Sequence, residues 1–229
     1  MDTRIMLFCK RTIFCEYAIK ILKSYFPVSS LVILMGEGGE KINDELHWHK
    51  PEYIISFLSP WIIPSSLCNS AQRAAINFHP GSPSYPGIGC YNFAIYERAD
   101  QYGVTCHHMK EKVDTGDIIM TSYFKISPGE TVESLKLKSM NHLLFIFERI
   151  VCRISEDDPL PVSDERWLRQ PYTRKQLDDL CKIDPRTMDD QEIKSRIRAT
   201  DYRSSRKGAY IEIGGRRFYA ETFLDEPLV

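Results

Sequence analysis

The sequence predicts an α/β protein, a doubly wound and mostly parallel sheet followed by a short C-terminal β-hairpin extension. Three observations predict it. Short, wholly apolar runs alternate with helix-length stretches, which is how strands buried on both faces of a parallel sheet read. The fourth of these runs ends in polar side chains, and open parallel sheets bind ligands at the C-terminal ends of their strands. Near the end of the chain a Gly-Gly pair separates two short runs, the mark of a tight hairpin turn.

The elements follow in order. Ile5-Met6-Leu7-Phe8-Cys9 is the first strand, and Ile13 to Tyr25 has the length and periodicity of a helix. Leu31 to Met35 is a second apolar run, ended by Gly36-Glu37-Gly38-Gly39, which lacks the spacing of a phosphate-binding loop. Tyr53 to Leu58 is a third run, and Ala74-Ala75-Ile76-Asn77-Phe78-His79 the fourth. His79 to Gly87 is too rich in Pro and Gly for a helix or a central strand. Tyr91 to Arg98 is helical, Gly103 to Met109 a strand, Lys112 to Asp117 a turn, and Ile118 to Ile126 another strand. Thr131 opens a long helix running to Ile154, with Thr131-Val132-Glu133-Ser134 as a capped start. Asp157 to Pro161 is a connector. Ala209 to Ile213 and Arg216 to Ala220 are the arms of the hairpin around Gly214-Gly215. We expect a catalytic domain over residues 1–180 and an extension over 181–229.

The 229 residues are enough to bury a substantial core. Hydrophobic residues make up 43% and charged residues 27%, the composition of an ordinary globular chain. A net charge of -1 and a pI near 6.6 point away from a nucleic-acid partner. Seven cysteines, with no CxxC pair, read as reduced thiols in a cytoplasmic protein. The first residues carry neither a signal-peptide pattern nor an apolar run of membrane-spanning length, so no membrane is expected.

Three residues carry candidate chemistry. Asn77 and His79 are two apart on a strand and therefore share a face. Asp114 lies 35 residues after His79, in a turn that can reach the same crevice. Together they suffice for acyl transfer to an amine. A positioned amide or imidazolium stabilises the charge on an attacked carbonyl, typically by roughly 3–4 kcal/mol. A His–carboxylate pair moves the protons of the attacking and leaving nitrogens. On pattern alone, however, a strand-end Asn-x-His is more often structural, and an Asp commonly closes a turn with its own side chain. Of His107 and His108, one faces the crevice and the other the opposite side. His47-Trp48-His49 has no third ligand at metal spacing, so no metal is expected.

Three ordered blocks add to this: Ile76-Asn77-Phe78-His79-Pro80 with its Pro/Gly loop to Gly87, then Gly103-Val104-Thr105, then Val113-Asp114-Thr115-Gly116-Asp117-Ile118. They resemble the folate-dependent formyltransferase family, whose pattern is Asn-x-His-Pro, Gly-Val-Thr and Asp-x-Gly-x-Ile. That family includes glycinamide ribonucleotide, methionyl-tRNA and sugar N-formyltransferases. The resemblance covers residues 50 to 150 well and makes the expected fold a formyltransferase-like Rossmann variant. It implies 10-formyltetrahydrofolate as co-substrate. By matching position, Asn77 and His79 would stabilise the formyl oxygen, while Asp114 would orient His79 and manage protons through water. Tyr53 to Pro64 resembles the family's pteridine-holding strand and loop, which puts Phe57, Leu58, Ser59, Trp61, Ile62 and Val113 on the folate side. The loop bearing Ser82, Tyr85 and Gly87 would line the acceptor side. It departs from relatives, reading Gly-Ser-Pro-Ser-Tyr-Pro where they more often have Ser-Leu-Leu-Pro.

The tail bears on the acceptor. Lys182 to Arg186, Ile197 to Ala199 and Gly208 to Ile211 resemble the segment that follows the catalytic domain in methionyl-tRNA and sugar formyltransferases. Too few residues remain for the β-barrel of the tRNA enzyme, so the small sugar N-formyltransferases are the better match. The implied acceptor is a nucleotide-linked amino sugar, with a 4-amino-4,6-dideoxy sugar favoured. Residues 166–217 hold 14 Lys and Arg against 8 Asp and Glu. Within them Arg196, Arg198, Arg203, Arg206 and Lys207 surround the lone acid Asp201, and Arg196 and Arg198 are the expected diphosphate ligands. A solvated basic face is the plainer alternative. The hairpin could add a strand across a homodimer. Other readings are tRNA formylation, hydrolysis of formyl-folate with water as acceptor, and a binding module with a degenerate site.

Overall fold

The computed structural model describes residues 3–42, 50–202 and 208–220. Six strands form its central sheet: β1 (Ile5–Lys10), β2 (Leu31–Gly36), β3 (Tyr53–Phe57), β4 (Ala74–His79), β5 (Gln101–His108) and β6 (Ile118–Lys125). Their order is β2-β1-β3-β4-β5-β6, with β1 to β4 parallel and β5 antiparallel to both of its neighbours. The chain thus runs to one side of β1, then returns to build the other, which puts the topological switch point between β1 and β3.

Period-2 alternation sorts the side chains onto two faces. Ile5, Leu7 and Cys9 of β1, Tyr53, Ile55 and Phe57 of β3, and Ile76 and Phe78 of β4 enter one core cluster. Their alternates Met6, Phe8 and Ile54 belong to another. The same parity sends Ser56, Asn77 and His79 to that second face. It is the chemically distinct side of the sheet.

The first face is covered by α1 (Ile13–Tyr25) and, across the chain, by the 24-residue α4 (Val132–Ser155). Leu143, Ile146, Phe147, Ile150, Val151 and Ile154 repeat at helical spacing and are all buried. Phe147 wedges between Phe57 and Phe78, with both ring centroids 5.0 Å away. Burying such a ring stabilises the fold by about 1.5–3 kcal/mol. Thr12 caps α1 through Cys15 N, and Thr131 and Ser134 cap α4 reciprocally. The second face is covered more thinly. Among the described residues it has the four-residue α2 (Ser65–Cys68) and irregular chain. The β3–β4 crossover holds no apolar period long enough for a full helix.

Past β4, α3 (Cys90–Tyr96) packs on α6 (Asp190–Thr200) and on the start of α4. Neither α6 nor α5 (Arg174–Cys181) was expected from apolar pattern, because few of their residues are buried. Caps define them instead: Thr173 with Gln176 for α5, and Asp189 bonded to Glu192 N for α6. Leu180 and Ala199 share a cluster with Phe93 and Ala94 of α3, so the chain beyond residue 180 rests on the same body. The hairpin is β7 (Tyr210–Ile213) with β8 (Arg216–Tyr219), turned at Gly214 and Gly215, both with positive φ. It is tied down where Tyr210 and Arg217 meet Asp178. His47, Trp48 and His49, like Arg203, Arg206 and Lys207, lie outside the described residues.

Candidate active site

Asn77 and His107 are directly opposed across the β4–β5 ladder. Opposed residues project to the same face, and here Asn77 Nδ2 lies 3.0 Å from His107 Nε2. The turn after β5 folds back over that face and carries Asp114 to it. Asp114 adopts φ +48°, a left-handed conformation that Asp tolerates better than most side chains. Gly116 makes the fold-back possible, since a Cβ there would sit 1.6 Å from the His108 carbonyl oxygen.

Asp114 is the hub. Its Oδ2 lies 3.1 Å from His79 Nδ1 and accepts the Gly87 N–H at 2.8 Å. Its Oδ1 lies 3.2 Å from His107 Nε2 and 3.4 Å from Asn77 Nδ2. Gly87 is needed for this contact: its φ is +86°, and a Cβ there would lie 2.4 Å from the Tyr172 carbonyl oxygen. Burial by itself pushes the Asp114 carboxyl up. The charges of His79 and His107 and the donated N–H bonds outweigh it and hold Asp114 well below the usual carboxylate range.

His79 is buried, and its Nε2 lies 2.9 Å from the Tyr85 carbonyl oxygen. Both ring nitrogens thus face oxygen atoms, one the Asp114 carboxylate and the other a backbone carbonyl. His107 donates from Nδ1 to the His108 carbonyl at 2.8 Å. A proton on its Nε2 makes the approach to Asp114 a hydrogen bond; without it, Nε2 accepts from the Asn77 amide. The cluster can therefore hold or release a proton with little movement of heavy atoms.

A strap lies over this cluster. Trp167 presents its ring to both imidazoles, with centroids 5.9 Å from His79 and 5.1 Å from His107. Its Nε1 donates to the Gly116 carbonyl at 2.7 Å. Leu168 N bonds to Pro83 O, and Tyr172 pairs with the Gly87 strand through Pro86 O and Ile88 N. Glu165 accepts from Thr121 and Tyr123 of β6. A surface cleft of 460 Å³ beside the cluster is lined by Thr115 and residues 167–171 of the strap.

The remaining expected residues separate by position. Leu58 follows β3 at the switch point with φ +53°. Ser59 Oγ holds the backbone of Trp61, and Trp61 packs against Phe8 while its Nε1 bonds to Glu40 O. Ile62 and Val113 are exposed. Phe57 is fully buried in the core, and its carbonyl accepts from the Cys15 thiol. On the acceptor side, Ser82 is buried. The Tyr85 ring is buried against Tyr102, with its hydroxyl on Glu97, so only its carbonyl joins the site. Burial raises the Tyr85 phenol well above its ordinary value.

Arg196 and Arg198 stand elsewhere. The Arg196 guanidinium donates to the carbonyls of Asp179, Leu180 and Lys182 and to Glu192. It closes the open C-terminal end of α5. Arg198 donates to Glu130 O. Both have partners inside the fold that the charge pattern could not reveal. Sequence reasoning also missed Trp167, a lone aromatic in a polar stretch. His107 had a signal, as one of a pair on a strand of known parity. Among the described residues no group of His, Cys, Asp and Glu could hold a metal ion, and no helix is long and apolar enough to cross a membrane.

This sheet is similar in fold to those of solved formyltransferases. Residues 34–146, just under half of the chain, match the formyl transferase family model. Over 110 residues the chain is 26% identical to a GDP-perosamine N-formyltransferase of Brucella melitensis, covering 48% of this chain and 42% of that one. Over 97 residues it is 31% identical to a methionyl-tRNA formyltransferase of Lachnospira eligens, covering 42% of this chain and 31% of the other. The matched stretch thus spans less than half the length of these curated relatives. Among solved structures, a 4-N formyltransferase from Francisella tularensis superposes with TM-score 0.78 at 16% identity, covering 99% of this chain and 100% of that one. An N-formyltransferase from Helicobacter canadensis, in complex with folinic acid and dTDP-3-aminofucose, gives 0.71 at 16% identity over 95% and 86% of the two chains. At such identities the likeness is one of fold.

Proposed function

We propose that the chain transfers the formyl group of 10-formyltetrahydrofolate to the amine of a nucleotide-linked amino sugar, with Asn77, His79 and Asp114 as its catalytic residues. The observation that carries this is the meeting of all three in one cluster on the second face of the sheet, in a formyl transferase domain. The acceptor class is supported by the Brucella relative and by the Helicobacter structure, whose likeness runs over 95% of this chain. The methionyl-tRNA relative matches over 97 residues, 42% of this chain.

The formyl donor supplies an electrophilic carbonyl already activated by its bond to the folate nitrogen. The Asn77 amide is a donor for a carbonyl oxygen gaining negative charge, and His79 Nε2 becomes a second when the bound formyl oxygen replaces the Tyr85 carbonyl as its partner; each such group typically contributes roughly 3–4 kcal/mol. Asp114 keeps the imidazole oriented and its charge compensated, as a buried carboxylate does for a catalytic His. The proton of the attacking amine passes to the Asp114–His107 side of the cluster, where a titratable nitrogen already stands 3.2 Å from the carboxylate. On the folate side we assign the half-buried chain at Leu58 and Ser59, with Trp61, Ile62 and Val113, to a flat heterocycle. Ser82 and Gly87 support the acceptor loop.

This reading carries three further proposals: a role in polysaccharide biosynthesis, a cytoplasmic setting, and a homodimer in which the hairpin adds a strand. The test of function is incubation with 10-formyltetrahydrofolate, with and without a panel of nucleotide amino sugars, following release of tetrahydrofolate by absorbance. Turnover that requires a nucleotide amino sugar supports the proposal. Equal turnover with no amine makes the chain a formyl-folate hydrolase, and none with any acceptor makes it a binding module.

A further inference from the structure

The strap over the cluster comes from a part of the chain that the family match does not include, since that match ends at residue 146. Its central residue, Trp167, is half-buried, with its ring against two imidazoles and its N–H on the turn that carries Asp114. No other aromatic ring among the described residues contacts His79 or His107.

We propose that Trp167 is a positioning residue for formyl transfer: it fixes the two imidazoles around Asp114 and keeps water away from the formyl carbon on the acceptor side. The proposal rests on the transfer reading above and adds to it the group that makes the site choose an amine over water.

Three features support it. The indole meets both imidazoles edge-on, at interplanar angles of 69° and 86°, so neither ring can tilt toward the strap without striking it. The Trp167 N–H bonds to Gly116 O, two residues after Asp114, and so ties strap and carboxylate turn together. The strap is fastened on both sides of Trp167, to β6 through Glu165 and to the Pro83–Ile88 loop through Leu168 and Tyr172. Arg169 adds a contact with Glu97, and its guanidinium lies 5.3 Å from the Tyr85 ring centroid. A wall fastened at this many points is built to stay closed. Beside it a cleft of 460 Å³ opens between Thr115 and the strap.

Water is the competing nucleophile in any site that holds an activated formyl group, and an acceptor-side wall is what suppresses it. The balanced competing step is hydrolysis, in which water adds to the formyl carbon, the folate nitrogen leaves with a proton, and formate is released.

The experiment compares the parent with Trp167→Phe and Trp167→Ala. For each it measures amine-dependent transfer, amine-independent release of tetrahydrofolate, folate affinity by fluorescence quenching, and thermal stability. For Trp167→Ala we expect the ratio of hydrolysis to transfer to rise by about tenfold or more, in keeping with the typical worth of a positioned group. The acceptor KM should rise with it, while folate affinity stays within about threefold. Trp167→Phe, which keeps the ring and loses the N–H, should recover most of the partition. If Trp167→Ala does not fold, Trp167→Leu, which also removes the aromatic ring, carries the same comparison. An unchanged ratio in the folded Trp167→Ala or Trp167→Leu variant of an active parent overturns the role of Trp167. A parent inert toward every amine overturns the function instead, so the two failures are distinct.

Discussion

Asp114 sits in a left-handed turn, holds two imidazoles and receives a backbone N–H. Each of those contacts favours its ionised form, which fixes a sign. Its folded-state value is depressed below the unfolded value of about 3.9, so the contribution to stability is full above that value and lost as pH falls toward the folded one. Urea denaturation should therefore show Asp114→Asn less stable than the parent at pH 7, with the gap narrowing below about pH 4. A gap that is the same at pH 7 and pH 3 contradicts the charge assignment. For turnover, Asn77→Ala and His79→Ala should each cost on the order of 10²-fold or more, and the double variant little more than the worse single one, because the groups act as a unit. A His79→Ala enzyme working at the parent rate removes the mechanism. Asn77, His79 and Asp114 were legible in the sequence through strand parity and motif spacing. His107 was half legible, because parity said one of the pair faces the site but the β4–β5 register was needed to say which.

At the scale of elements, the α5–α6 corner turns on Arg196. Its guanidinium serves three carbonyls at the end of α5 while ion-pairing with Glu192 one turn back on α6. Arg196→Ala should lower the unfolding free energy by about 1–3 kcal/mol, the cost of leaving such carbonyls without donors. It should leave the acceptor KM of the folded enzyme nearly unchanged. A raised KM with unaltered stability would restore the phosphate-binding role expected from the charge pattern. The pattern misled for a physical reason: a row of arginines reads the same whether it faces a ligand or the carbonyl end of a neighbouring helix. Strands and long helices were legible because burial imposes a period on them. α5 and α6 bury little, and their caps are visible only once the helices are known.

At the scale of the molecule, a net charge of -1 gives no broad field with which to attract a polyanion. A small acceptor held by a few groups should show a shallow dependence of affinity on salt. A folded RNA would show a steep one, with roughly 0.7 to 0.9 of a power of salt for every phosphate contacted. The free amino sugar should react far more slowly than its nucleotide diphosphate form, because remote binding energy orients the amine. Efficient formylation of charged tRNA, with a steep salt dependence, would reverse the choice of acceptor.

Asn77, His79, His107 and Asp114 fall within 38 consecutive residues, while the strap that lies over them begins 49 residues after Asp114, at Ser163. Chemistry and enclosure are thus separate passages of one gene, open to different histories of change. Under the proposed transfer, drift in residues 163–172 would reshape which amine is admitted while the proton-handling passage is copied unaltered. A lineage bearing this chain would then acquire a new acceptor without first losing the reaction.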